Sequence, residues 1–144
     1  MNRYCLILSL AVINYCLAQS DYYTYDEIDN TLHAWQETFG SEPHPSSLYQ
    51  DFGIIYELHT IGYSSQDSLP IYAVKLSANV QEREAEPKVL ILGQCHAEEI
   101  YGVEISMEII NQFLHPEVYP NSRPYLQRGL SLTELWIVPT HNPE

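Results

Sequence analysis

The stretch that could do chemistry is short: Gly93-Gln94-Cys95-His96-Ala97-Glu98-Glu99. It sets an imidazole and a carboxylate three residues apart. Across a strand-to-helix turn, that spacing lets His96 and Glu99 converge on one metal ion. Zinc accepts both ligand types, and a catalytic zinc takes three protein ligands and keeps one position open. Spacing alone is weak, because an ordinary polar helix start looks the same, with Glu98 and Glu99 favoured at the positive end of the helix dipole. The place after an apolar run strengthens the metal reading, since burying a His and a Glu without a role is costly.

Other polar side chains rank lower. His141 is the best local candidate for a third ligand, but it reads first as an exposed loop histidine. Cys95 adjoins His96, and adjacent strand residues point to opposite faces, so Cys95 is expected to be a small buried filler. His33, His44, His59 and His115 have no partner pattern. Arg123 and Arg128 read as loop or helix-surface residues. Glu104 and Glu108 fall on the less buried side of a helix, and nothing nominates either as a base.

The elements that position this stretch can be read from periodicity. Lys88 to Gly93 is continuously apolar after Lys88, as in a strand covered on both faces. A helix is predicted from about Glu98 to His115. Ile100, Val103, Met107, Ile110 and Leu114 form its stripe, widened by Ile105, Ile109 and Phe113. Pro116, Pro120 and Pro124 mark a loop, with a short helix over Tyr125 to Leu130. Glu134 to Pro139 is the last strand. Strand, helix and strand in this order imply a crossover in an α/β sheet. Upstream, Thr24 and Glu27 form a capping box ahead of Ile28, Leu32, Trp35 and Phe39, with Gly40 as the stop. Gly53 to Ile61 and Pro70 to Ala78 read as a hairpin around the turn residues Gly62 to Ser68. Asn79 to Pro87 is an exposed connection.

In that setting Gly93-x-x-His96-Ala97-x-Glu99 resembles the zinc motif of the M14 metallocarboxypeptidase family. Trp136 to Pro139, running into Thr140-His141-Asn142-Pro143-Glu144, resembles the family's strand leading into Asn-Pro-Asp-Gly. The opening helix, and Ile61-Gly62-Tyr63-Ser64 leading to Pro70-Ile71, resemble the start of that domain.

The resemblance implies an α/β fold, a mixed sheet with helices on both faces, with its N-terminal part present here. It implies His96 and Glu99 as the first two zinc ligands, and Asn142-Pro143 as a structural turn. The implied reaction is hydrolysis of a C-terminal peptide bond on a peptide or protein substrate. In that chemistry zinc polarises the scissile carbonyl and its water, a glutamate is the general base, and an arginine steadies the oxyanion. The last two groups and the third zinc ligand are expected downstream of Glu144, so the chain is expected to be inactive alone and to hold zinc weakly. Departures are Glu98 where a basic residue is common, Glu144 for the usual Asp, and no Gly-Arg after Gly62. Two other readings stand beside this one: a secreted, non-catalytic binding module of the same fold, and a zinc deacylase acting on small amides.

Composition sets the outer limits. The chain has 144 residues and a formal charge of −13. Arg3, the apolar run Cys5 to Ile13 and the small-residue site at Cys16-Leu17-Ala18 predict a signal peptide over residues 1–18, hence a secreted or periplasmic product. Losing Arg3 with it takes the charge from −13 to −14. So acidic a chain repels a phosphate backbone, which argues against nucleic acid as a partner. No stretch after the leader is expected to span a membrane. Residues 19–144 keep one cysteine, Cys95, so no disulfide can form within them.

Overall fold

Thr24 opens the first helix as its sequence demands. Its side chain accepts a hydrogen bond from the Glu27 amide, and the Thr24 amide donates one to the Glu27 carboxylate at 2.8 Å. Helix α1 runs Tyr25–Phe39 and ends at Gly40. The computed structural model describes residues 22–144, and the predicted leader, residues 1–18, lies outside the described residues. After a 3-10 turn at Ser47–Tyr49 come strands β1 (Tyr56–Tyr63), β2 (Pro70–Leu76) and β3 (Lys88–Gln94). Helix α2 (Ile100–Leu114), helix α3 (Arg123–Leu132) and strand β4 (Glu134–Thr140) complete the chain.

The hairpin is shifted from its predicted bounds. β1 starts three residues later than Gly53, whose φ of 62° turns the chain before it can extend. It then continues past Ile61 to Tyr63, because a bulge between Thr60 and Gly62 keeps the ladder in register with β2. The turn proper closes with the Ser64 amide bonded to the Leu69 carbonyl. Helix α3 extends the predicted Tyr125–Leu130 segment at both ends, since Pro124 sits in the first turn, where its missing N–H costs nothing.

The four strands form one mixed sheet in the order β1-β2-β4-β3. β1, β2 and β4 are antiparallel neighbours, whereas β3 lies parallel to β4, joined by a crossover through α2 and α3. This mixed sheet with packed helices is the expected fold class. Tyr72, Val74, Leu76, Leu135 and Ile137 line one face and share a core with Ile28 and Leu32 of α1, Val103, Met107 and Ile110 of α2, and Leu126 and Leu130 of α3.

The reading of β3 as covered on both faces needs correction. β3 has one strand neighbour among the described residues, and Leu90 and Leu92 are 63% and 55% exposed. Its apolar run therefore reflects the pleat facing α2 on one side only.

One ion-pair cluster crosses the sheet. Glu134, buried at the start of β4, meets Lys75 Nζ at 3.1 Å and Lys88 Nζ at 2.6 Å, and takes the Trp136 indole N–H at 2.7 Å. Beyond β4, the Glu144 carboxylate accepts the amides of Gln66 and Asp67 in the β1–β2 loop, at 2.6 and 2.8 Å.

Candidate metal centre

β3 ends at Gln94, the chain bends through Cys95 and His96, turns over Ala97 and Glu98, and enters α2 at Ile100. The helix starts two residues later than predicted because Glu99 is used elsewhere. It stands at the N-cap position without making a side-chain cap, and its carboxylate folds back over the turn. Oε2 accepts the amides of Cys95 and His96, each at 3.1 Å. Oε1 lies 3.0 Å from His96 Nδ1. The imidazole hydrogen bond first, then the two amides, hold the Glu99 carboxyl below the ordinary carboxylate range. An ionised carboxylate only accepts, so His96 Nδ1 is the donor in this contact.

Two glycines let this turn approach the helix. A Cβ on Gly102 would stand 2.7 Å from the Gly93 carbonyl carbon and 2.9 Å from the Gln94 nitrogen. A Cβ on Gly93 would stand 2.1 Å from the Pro139 oxygen. Gln94 then clamps the turn to the end of β4. Its Nε2 donates to the Ala97 carbonyl at 2.9 Å, and its Oε1 accepts the Thr140 hydroxyl at 2.8 Å. The lead-in to α1 braces the helix: the Tyr23 amide donates to Glu104 at 2.7 Å, and the Tyr22 and Tyr101 rings meet edge to face. A cavity of about 160 Å³ beside the turn is lined by Tyr23, Tyr25, Gln94, Ala97, Asn142 and Pro143. Asn142 and Pro143 thus adjoin the candidate centre.

The fit to a metal ion rests on the donor set. Tetrahedral zinc with nitrogen and oxygen ligands at about 2.0–2.2 Å sets those two atoms roughly 3.3 Å apart. The His96 to Glu99 separation of 3.0 Å needs little adjustment to become one edge of that tetrahedron. Both side chains are accessible, His96 at 66% and Glu99 at 47%. The expectation that burial would make them costly does not hold; convergence, rather than desolvation, distinguishes the pair.

Cys95 also departs from expectation. It is exposed, not a buried filler. The strand pleat ends at Gln94, so the alternation rule no longer governs the next residue. Cys95, His96 and Glu99 are the one group of three metal-ligating side chains found close together among the described residues, their ligand atoms all within 4.8 Å of one another. His141 does not join that group; its amide bonds to the Gln94 carbonyl and its Nδ1 is buried without a hydrogen-bond partner.

The remaining candidates stay apart from the turn. His44 is buried, bonded to the Leu114 carbonyl at 2.9 Å and stacked on Phe39. His59 packs against Trp136, and His115 against Phe39. Arg123 pairs with Glu117. Reasoning from sequence missed Gln94, Thr140 and Gly102 as positioning residues. A glycine inside a helix, where it costs about 0.5–1 kcal/mol relative to alanine, was the one available sign of close backbone approach.

Comparison with known proteins adds three observations. The family model described as zinc carboxypeptidase matches residues 46–144. A zinc carboxypeptidase of Saccharothrix mutabilis subsp. capreolus is 27% identical over 125 residues, which is 87% of this chain and 26% of that protein. Among solved structures, carboxypeptidase A from Helicoverpa armigera aligns with a TM-score of 0.64 and 16% identity, over 98% of this chain and 32% of that one. A metallo-carboxypeptidase from Burkholderia cenocepacia gives 0.62 and 16%, over 85% and 27%. At such identities the structural likeness speaks to the fold alone. The chain spans about a quarter of the length of the curated relative it matches.

Proposed function

The chain belongs to the zinc carboxypeptidase family, and from that premise we propose that it provides two zinc ligands, His96 and Glu99, to an enzyme that hydrolyses C-terminal peptide bonds of peptides or proteins. The observation that carries this reading is the 3.0 Å approach of His96 Nδ1 to Glu99 Oε1 at the end of a sheet strand. When bound, zinc supplies Lewis-acid polarisation of the carbonyl under attack. The chain's own part is to hold the ion. The Cys95 and His96 amides fix the Glu99 carboxylate, and Gln94 fixes the turn that carries both ligands. Asn142-Pro143, beside the turn, serves as structural support. The general base and the oxyanion arginine are not assigned to any of the 144 residues. The apolar run Cys5 to Ile13, followed by Cys16-Leu17-Ala18, supports export of the product by a signal peptide over residues 1–18.

Zinc binding is the direct test. Calorimetric titration of the chain with zinc is expected to show one site, weakened at least roughly tenfold by either His96→Ala or Glu99→Gln, since even outer-shell changes cost 10- to 100-fold. Unaltered affinity in both variants would remove His96 and Glu99 from the metal centre.

A further inference from the structure

We propose that the pocket between the C-terminal ends of α1 and α2 binds an organic cation, an ammonium group carried on an apolar body. The pocket stands one helix length from the turn that carries His96 and Glu99, about 22 Å for the 15 residues of α2. The inference is therefore independent of the zinc reading.

Shape and lining come first. The pocket holds about 600 Å³, a size that suits a small organic molecule. Its floor is the buried Phe39, His44, Leu114 and Pro116, and its walls include the exposed Pro45 and Val118. An apolar body gains by leaving water there. The polar atoms of the His44 ring are already engaged. The Ser46 amide donates to its Nδ1 at 3.1 Å, and its Nε2 donates to the Leu114 carbonyl at 2.9 Å. An Nδ1 that accepts carries no proton, so the ring is neutral. Burial acts in the same direction, holding this imidazole below the ordinary histidine range.

Charge selects the occupant. Phe39 and Leu114, on the pocket floor, are the last residues of α1 and α2. Each helix end is the negative pole of its macrodipole, and neither last turn holds a basic residue to offset it. Glu117, also in the lining, is already matched: Arg123 pairs with it, and the Ser46 hydroxyl donates to it at 2.7 Å. That ion pair adds no net charge. Two uncompensated negative poles beside an apolar floor favour a cation with an apolar body over its neutral isostere, by roughly 3- to 30-fold for the two poles together. A free amine and the lysine side chain of a peptide share this chemistry.

The test is titration of the nitrogen-15-labelled full chain with benzylammonium, and separately with benzyl alcohol as its neutral isostere, at about pH 8, above the ordinary histidine range. The amide signals of Ser46, Ser47, His115 and Val118 are expected to shift and saturate together. Benzyl alcohol should bind at least roughly threefold more weakly. Equal affinity for the two overturns the cation assignment. Shifts that centre on His96 and Glu99, or that spread over the surface without saturating, show an acidic chain gathering cations and overturn the site. So does the absence of any saturable shift. Thr38 lines the pocket and is exposed in the last turn of α1. Thr38→Lys sets a cation on that helix end, and it should weaken benzylammonium at least roughly threefold without lowering the urea midpoint. Thr38→Gln, long but neutral, should keep the affinity within about twofold. Unchanged affinity in Thr38→Lys, or an equal loss in both variants, overturns the proposal. A lysine tripeptide blocked at both ends then identifies the source: displacement of benzylammonium by it supports a lysine side chain, and failure to displace supports a free amine.

Discussion

At the scale of single residues, the candidate centre depends on what two glycines leave out. Gly102 faces the Gly93 carbonyl carbon and the Gln94 nitrogen, backbone atoms that cannot rotate aside. Gly102→Ala should gain the usual ~0.5–1 kcal/mol of helix propensity and lose more to overpacking, about 1–3 kcal/mol. Urea denaturation should show net destabilisation, and zinc affinity should fall because Gln94 and its turn are displaced. A variant at least as stable as its parent would mean that the strand end yields freely. The pair His96 and Glu99 was legible in the sequence because both residues lie within one turn. Cys95 was misread because the pleat was extended one residue past its end. The Gln94–Thr140 bond was not legible, since only the parallel pairing of β3 with β4 brings those residues together.

At the scale of elements, three strands are tied at Glu134. Burial by itself would raise this carboxyl, but Lys88, Trp136 and Lys75 overcome it and hold the pKa at about 2. A depressed carboxylate contributes its stability above the unfolded-state value of about 4.3 and loses it as pH falls towards 2. That is about 3 kcal/mol lost across the window. Glu134→Gln should therefore destabilise the fold by about 3 kcal/mol at pH 7 and flatten the acid-unfolding profile below pH 5. An equally steep profile in the variant would place the acid sensitivity elsewhere. Helix α1 was legible almost to the residue, because the capping box and Gly40 are local signals. β1 was not, because its true length is set by a bulge that only the partner strand β2 defines.

For the whole molecule, the order β1-β2-β4-β3 puts the turn that carries His96 and Glu99 at the end of β3, an edge strand among the described residues. Leu90 and Leu92 show why local reading failed there: an apolar run reports what a strand can bury, while the sheet order decides what it does bury. The contact from Glu144 to the β1–β2 loop has a consequence in time rather than in space. Gln66 and Asp67 sit in an exposed turn, where amide protons ordinarily trade with solvent quickly. A carboxylate arriving from the far side of β4 covers both. Their hydrogen-exchange rates should therefore keep time for the docking of residues 140–144 against the hairpin. Glu144→Ala should speed exchange at those two amides several-fold and leave the Ser64 amide, bonded within its own loop, as slow as before; unchanged rates at Gln66 and Asp67 would show that the loop keeps its own time.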